Sequence, residues 1–163
     1  MLALSSRIAV ITIIAALSLG CGEKATDVKE AAQAALDAAD YPTAVLQADK
    51  AIGMAVDDKA LVWQAQQIKL QALARSGDGA QASALLEQLA GEYAVQVKSP
   101  LYMSVANELK KAGQTSAAID VLDAGKKRFA DEGEKFLAAI QELQTTVELD
   151  PAEIEKLKAL GYL

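Results

Sequence analysis

Three segments of the chain repeat the same turn followed by a small residue, and this repetition constrains the fold most. They are Ala39-Asp40-Tyr41-Pro42-Thr43-Ala44, Gly77-Asp78-Gly79-Ala80-Gln81-Ala82 and Gly113-Gln114-Thr115-Ser116-Ala117-Ala118. A helical pattern precedes each segment, at residues 28–38, 61–74 and 101–112. The repetition predicts three hairpins, each formed by a helix, a tight turn and a second helix.

The second helix of each predicted hairpin carries small or bulky apolar residues at matching positions. Counting from the last alanine of each turn, residues four and seven places later share one helical face. The matching residues are Ala44, Ala48 and Ala51, then Ala82, Leu86 and Leu89, and then Ala118, Leu122 and Gly125. The matching spacing indicates three copies of one helical unit.

The composition favours helices throughout the chain. It is rich in Ala, Leu, Lys, Gln and Glu, which are strong helix formers, and only 4% of its residues are aromatic. We therefore predict an all-α domain with a core of Ala and Leu, arranged as thin layers of stacked helices.

The repeated unit resembles the tetratricopeptide repeat (TPR) family, whose hairpins have small residues at fixed points and a Gly-Asp-Tyr-like turn. The third unit matches best, at Pro100, Tyr102, Val105, Ala106, Leu109, Gly113, Ala118, Leu122 and Gly125. The units are longer than the family period of about 34 residues. Over residues 27–147, the resemblance implies a short right-handed superhelix of about three TPR-like hairpins, followed by C-terminal capping helices.

Signals for helix ends divide the chain in the same way. Ser or Asp followed by Pro, or by Glu three residues later, predicts a helix start. Such signals are found at Ser99-Pro100, at Asp131 with Glu134, and at Asp150-Pro151-Ala152-Glu153. Gly77 and Gly113 are expected to end the preceding helices. With further helices at about 133–147 and 151–160, the chain is expected to form about eight.

The N-terminal segment predicts export and a lipid anchor. Residues 8–19 form an apolar stretch too short to span a bilayer, which needs about 20 apolar residues. The only cysteine follows, in Leu17-Ser18-Leu19-Gly20-Cys21, which resembles the lipobox of bacterial lipoproteins. We interpret residues 1–20 as a lipoprotein-type signal peptide, acylated Cys21 as the mature N-terminus, and residues 21–26 as a lipid-anchored tether.

The resemblance to lipoproteins also implies a location. In enteric bacteria, Asp after the cysteine retains a lipoprotein in the inner membrane, whereas this chain has Gly22. The implied location is the outer membrane, with the domain facing the periplasm. Ser18 and Leu19 depart from the lipobox pattern, so ordinary signal-peptidase cleavage after Gly20 remains an alternative that would release a soluble protein.

The residue types exclude several classes of chemistry. The chain has no histidine, which excludes Ser-His-Asp and Cys-His catalytic triads. One cysteine cannot build a zinc or iron–sulfur site, and a net charge of −6 disfavours nucleic-acid binding. Asp57 and Asp58 are interpreted as acids at a helix boundary, where the dipole favours them. We predict no catalytic residues, no metal and no cofactor, and hence a protein that is not an enzyme.

Three further features have structural interpretations. The basic run Lys126-Lys127-Arg128 is expected in the last turn of a helix, where the dipole favours cations, and the alternative is a contact with anionic lipid headgroups. Trp63, the single tryptophan, is expected to anchor the core between hairpins, and the alternative is an exposed binding hot spot. Residues 148–163 are interpreted as a capping helix that covers the last repeat or, alternatively, as a docking peptide for a partner.

These observations favour a non-catalytic envelope lipoprotein whose stacked hairpins bind another envelope protein or an extended peptide. The predicted protein-binding residues are Gln67, Gln71, Asn107, Lys110, Lys111, Tyr162 and Leu163. The alternative is a structural, self-associating Ala-rich lipoprotein, a homo-oligomer without a dedicated ligand. A soluble accessory to a hydrolase is a third hypothesis, and it requires an unacylated Cys21.

Overall fold

A computed structural model describes residues 23–163, and this part of the chain contains eight α-helices, one short 3-10 turn and no strand. The helices are α1 (Ala25–Asp37), α2 (Tyr41–Met54), α3 (Lys59–Ser76), α4 (Gly79–Glu92), α5 (Ser99–Lys111), α6 (Thr115–Arg128), α7 (Gly133–Thr146) and α8 (Pro151–Ala159). The all-α prediction is confirmed. The predicted signal peptide and Cys21 lie outside the described residues.

The helices pack in the order of the chain. Tight turns at the three repeated segments join α1 to α2, α3 to α4 and α5 to α6. Helix α1 also contacts α3, α3 contacts α5, and α5 contacts α7, while α4 contacts α6 and α6 contacts α8. The odd-numbered helices therefore pack against one another in succession, and α4, α6 and α8 form a second succession beside them.

Aspartate side chains cap the starts of four helices, namely α2, α3, α4 and α8. Asp40 Oδ1 accepts a hydrogen bond from the Thr43 amide at 3.3 Å, and Asp78 Oδ1 accepts one from the Gln81 amide at 3.2 Å. Asp58 caps α3 in the same way, which agrees with the interpretation of this acid as a helix-boundary residue. These caps satisfy backbone amides that would otherwise lack partners at the helix starts.

Two of the predicted helix caps are wrong, although α5 and α7 begin close to the expected residues. Helix α5 begins at Ser99 itself, and the Ser99 hydroxyl donates to Glu132 Oε2 at 2.8 Å instead of capping the helix. Asp131 and Glu134 form no capping box because residues 130–132 are a 3-10 turn and α7 begins at Gly133. In both places, a packing contact or a tighter turn replaces the local capping pattern.

The remaining boundary signals are confirmed. Asp150 accepts from the Glu153 amide at 2.8 Å, and Glu153 accepts in turn from the Asp150 amide at 2.9 Å, which completes the capping box. Gly77 and Gly113 follow α3 and α5 in the left-handed conformation, with φ of 82° and 74°. Ala39 holds the equivalent place after α1 with φ of 58°, although it carries a Cβ atom.

The matched positions of the second helices are buried in all three hairpins. Ala44, Ala48 and Ala51 are fully buried, as are Ala82, Leu86 and Leu89, and Ala118, Leu122 and Gly125 are buried too. The expectation of a core made of Ala and Leu holds for the first hairpin and is wrong for α5 to α7. There the core contains fully buried aromatic side chains, Tyr102 and Phe136.

Two glycines allow close approach between helices in the C-terminal half. A Cβ atom added to Gly125 of α6 would lie 2.3 Å from Phe136 Cε1 of α7. A Cβ atom added to Gly79 of α4 would lie 2.6 Å from the Ala117 Cβ of α6. Neither position has room for a side chain, so both helix pairs pack more closely than other residues would allow.

Candidate functional site

The odd-numbered helices present two clefts, and most of the predicted binding residues lie in them. We call the outer surface of α1, α3, α5 and α7 the odd-helix surface. One cleft lies between α1 and α3, and the other lies between α5 and α7 with α6 at its floor. We call them the polar cleft and the apolar cleft after the side chains that line them.

The polar cleft is lined by amide and charged side chains. Its volume is about 430 Å³, and it is lined by Lys29, Glu30, Gln33, Ala34, Asp37, Gln64, Gln67, Ile68 and Gln71. Lys29 Nζ donates to Gln64 Oε1 at 3.2 Å and so joins α1 to α3 across the cleft. The predicted residues Gln67 and Gln71 are half-buried in this cleft on successive turns of α3.

The apolar cleft is smaller and more enclosed by hydrocarbon. Its volume is about 200 Å³, and it is lined by Met103, Ala106, Asn107, Lys110, Leu122, Ala139, Glu142 and Leu143. Lys110 Nζ lies 3.0 Å from Glu142 Oε1 and so pairs α5 with α7. The predicted residues Asn107 and Lys110 are therefore in contact with this cleft, which combines an apolar lining with one amide and one ion pair.

Lys111 lies apart from both clefts. Its ammonium group is 3.0 Å from Glu108 Oε1, and the other carboxylate oxygen of Glu108 is 3.2 Å from Arg75 Nε. These residues line a shallow depression that also includes Tyr41, near the tight turns. Lys111 is therefore separated from the other predicted binding residues of α3 and α5, because it belongs to an ion cluster between these two helices.

The C-terminal residues Tyr162 and Leu163 differ in their contacts. The Tyr162 hydroxyl donates to Asp123 Oδ1 at 2.8 Å, and its backbone oxygen accepts from Gln144 at 3.2 Å. Burial, together with the hydrogen bond to Asp123, raises the pKa of Tyr162 to about 12. Leu163 is exposed. Tyr162 thus packs against α6 and α7, away from the clefts of the odd-helix surface.

The basic run at the end of α6 bonds within the chain. Lys126 Nζ lies 4.7 Å from the centre of the Tyr162 ring, and Lys127 Nζ lies 2.6 Å from Asp123 Oδ2. Arg128 donates to the Ala90 carbonyl at the end of α4. The run occupies the last turn of α6 as predicted, and its cations bind neighbouring groups of the same protein.

The aromatic side chains mainly organise the core. Tyr102 is fully buried, and its hydroxyl donates to Glu87 Oε1 at 2.9 Å. Burial, and to a smaller extent the hydrogen bond to Glu87, raises the pKa of Tyr102 far above the ordinary value. Trp63 is half-buried at the edge of the core, with its ring centre 5.1 Å from that of Tyr93. Trp63 therefore packs against the edge of the core and is less buried than the predicted core anchor would be.

The apolar lining was missed because the sequence argument selected polar residues on first helices. Met103 and Leu143 line the apolar cleft, with Ala139 one turn before Leu143 on α7. The spacing of Met103, Ala106 and Lys110 is helical and places them on one side of α5. That signal was present, but the contribution of α6 and α7 depends on how the helices pack.

Residues 23–163 were also compared with the requirements of a metal site and of a membrane-spanning helix. No three His, Cys, Asp or Glu side chains of this part lie together in a way that could hold a metal ion. Within the same residues, no helix combines the length and apolar character needed to cross a membrane.

Comparisons of the sequence with protein-family models and with curated proteins find no match. A comparison with solved structures also finds none.

Proposed function

We propose that this protein is a non-catalytic, lipid-anchored scaffold that binds another envelope protein or an extended peptide along the odd-helix surface. The observation that supports this proposal best is the apolar cleft, with Asn107 and the Lys110–Glu142 ion pair among its lining. An interface of this kind typically combines an apolar centre with polar groups that fix orientation.

The apolar cleft has a size suited to one side chain of a partner. A cavity of about 150 Å³ is enough to hold benzene, and this cleft offers about 200 Å³. A leucine or phenylalanine side chain would therefore fit between α5 and α7. The Asn107 amide would bond the partner's backbone, and the Lys110 ammonium would attract a neighbouring carboxylate.

The polar cleft would extend the contact toward α1. It opens between odd-numbered helices, as the apolar cleft does, and it carries the amides of Gln67 and Gln71. Amide side chains both donate and accept hydrogen bonds, so they suit the backbone of an extended segment. One segment would then place an apolar side chain at α5 and α7 and its backbone near α1 and α3.

We further propose that the hairpins form a right-handed TPR-like superhelix, anchored through acylated Cys21 to the outer membrane and facing the periplasm. The succession of contacts from α1 to α3, α5 and α7 supports a stack of hairpins, as in repeat proteins. Cys21 is only two residues before Glu23, where the described part begins. The proposed anchor would therefore hold the first hairpin near the bilayer.

The test places a photo-crosslinking amino acid at Asn107 or Gln67 in intact cells. A matched control carries it at Gln88, an exposed residue of α4 outside the odd-helix surface. We expect one stoichiometric adduct from Asn107 and Gln67 and none from Gln88, identified by mass spectrometry. Equal adducts from all three positions, or none, would contradict a partner site on the odd-helix surface.

A second pair of variants tests the apolar cleft itself. Ala139→Glu places a carboxylate within the cleft, whereas Ala138→Glu makes the same change on the exposed side of α7. We expect Ala139→Glu to abolish the Asn107 adduct and Ala138→Glu to leave it unchanged, with equal helix content by circular dichroism. Recovery of only the protein itself in multimers would favour the structural, self-associating alternative.

A further inference from the structure

One end of the helix stack collects the connections between hairpins and the start of the described chain. Because short turns reverse the chain within each hairpin, residues 23–24, 54–58, 93–98 and 129–132 lie at the same end. Lys50 Nζ lies 2.5 Å from Glu23 Oε2, and Ser99 contacts Glu132, which agrees with this placement. We call these four segments the tether edge.

The tether edge carries an unusual share of the exposed apolar side chains. Five large apolar side chains are well exposed within residues 23–163, and three of them are on the tether edge. Met54 is 42% exposed, Val56 75% and Val95 77%. The tight turns at the opposite end contain small and polar residues, such as Ala38 and Asp78. The apolar exposure is therefore concentrated on one end of the stack.

We infer that the tether edge contacts a lipid bilayer surface, with Val56 and Val95 inserted among the lipids. This inference depends on the proposed anchor at Cys21. Two residues span at most about 7 Å, so an acylated Cys21 in the bilayer would hold Glu23 at the membrane surface. Met54 and Lys24 line one depression at the tether edge, which places α2's end beside the tether.

The charges of the tether edge favour apolar insertion over electrostatic attraction to anionic lipids. Its acidic residues, among them Asp57, Asp131 and Glu132, outnumber Lys24 and Lys98. A polybasic attraction to anionic headgroups is therefore absent from this edge. Apolar insertion remains as the source of contact, and it is favourable with neutral phosphatidylcholine and insensitive to salt. The helices would then stand upright on the membrane, with both clefts open to the side.

The test uses the acylated full chain in phosphatidylcholine vesicles, with an environment-sensitive fluorophore on Val56→Cys or Val95→Cys. Matched controls carry the fluorophore on Ala38→Cys or Ala80→Cys, which are exposed at the opposite end. We expect several-fold brighter emission from positions 56 and 95 in vesicles, and quenching by a quencher attached to the lipid chains. Emission equal to that of the two controls would overturn the inference.

Two further measurements separate this inference from the anchor. The intact mass shows whether Cys21 is acylated; if it is not, an N-terminal histidine tag held by nickel-chelating lipid replaces Cys21, so that the introduced cysteine is the single thiol to be labelled. Brighter emission from positions 56 and 95 on the replaced anchor would keep the edge contact while the lipoprotein proposal fails. Brighter emission without vesicles, at rising protein concentration, would overturn the inference in favour of a second copy of the chain.

Discussion

The first hairpin and the group α5 to α7 repeat one architecture with different side chains. Between α1, α2 and α3, the buried residues include Ala32, Ala44 and Ala48, whereas the core of α5 to α7 includes Tyr102 and Phe136. Alanine interfaces let helices approach closely but remove little apolar area from water, at about 25 cal/mol per Å². The same pattern of turns and helices therefore yields a less stabilised N-terminal hairpin and a better stabilised C-terminal half.

The largest expected effect tests the aromatic side of this comparison. Phe136→Ala removes a fully buried ring and should lower the free energy of unfolding by about 3–5 kcal/mol. Denaturant unfolding of the purified protein measures this loss. Leu46→Ala is the control, because Leu46 is exposed on α2 and should change little. A loss below about 1 kcal/mol from Phe136→Ala would contradict an aromatic core as the main source of stability.

A double mutant sharpens the same prediction. Gly125→Ala should be destabilising in the natural chain because its Cβ atom would meet the Phe136 ring. In the Phe136→Ala background the ring is absent, so Gly125→Ala should become neutral or stabilising. Gly91→Ala is a matched control, since nothing lies within 4 Å of an added Cβ atom there. Equal effects of Gly125→Ala in both backgrounds would refute the proposed close contact.

The close packing of the alanine-rich first hairpin is tested by placing a larger side chain in its core. Ala48 is fully buried in α2, so Ala48→Leu should lower the free energy of unfolding by about 1–3 kcal/mol. Ala31→Leu, at an exposed position of α1, should be nearly neutral. Thermal and denaturant unfolding measure both variants. If Ala48→Leu were instead stabilising, the first hairpin would be loosely packed and the proposed close approach of its helices would be wrong.

A smaller effect is expected from the turns. Ala39 has φ of 58° where the later hairpins have Gly77 and Gly113, and Cβ sterics disfavour this conformation. Ala39→Gly should therefore raise the free energy of unfolding by about 1 kcal/mol, and Gly113→Ala should lower it by about as much. The shift in thermal midpoint measures both changes. Shifts of the same sign would show that the two turns are not equivalent.

The smallest effect is a pH dependence at the C-terminus. The raised pKa of Tyr162, about 12 against an ordinary 10.0, means that folding favours the protonated phenol. This stabilisation is complete below pH 10 and is lost as the pH rises toward 12. Unfolding curves across this range should show a falling stability that Tyr162→Phe reduces. An identical pH profile in Tyr162→Phe would exclude Tyr162 as the source.

Local sequence signals predicted most of the fold. The repeated turns and the four- and seven-residue spacing identified the buried face of α2, α4 and α6, because helical periodicity is a local property. The Asp150 and Glu153 capping box was also local. The Ser99 contact with Glu132 was not, since it joins residues 33 positions apart. Likewise, the match of Gly125 to the Phe136 ring depends on helices whose spacing only packing determines.

The candidate site was only partly predictable, because helical periodicity is local whereas the packing between helices is not. Amides and cations on α3 and α5 were chosen from helical phase alone, and four of them line the two clefts. Lys111 was placed with them because sequence does not show that its neighbour Glu108 also pairs with Arg75 of α3. The apolar lining includes Leu122 from α6 and Leu143 from α7. Such a combination arises only when three helices meet.

The order of contacts along the stack has a mechanical consequence. Each helix contacts its near neighbours in the chain, so a force applied at both ends would pass through the hairpins in series. Were the chain pulled between an anchor at residue 21 and a partner bound at α5 and α7, the whole load would enter through the alanine-packed α1 and reach α3 through its contacts with α1 and α2. That hairpin would be expected to unfold first, which would make it a tension-sensitive segment between the proposed anchor and the proposed partner.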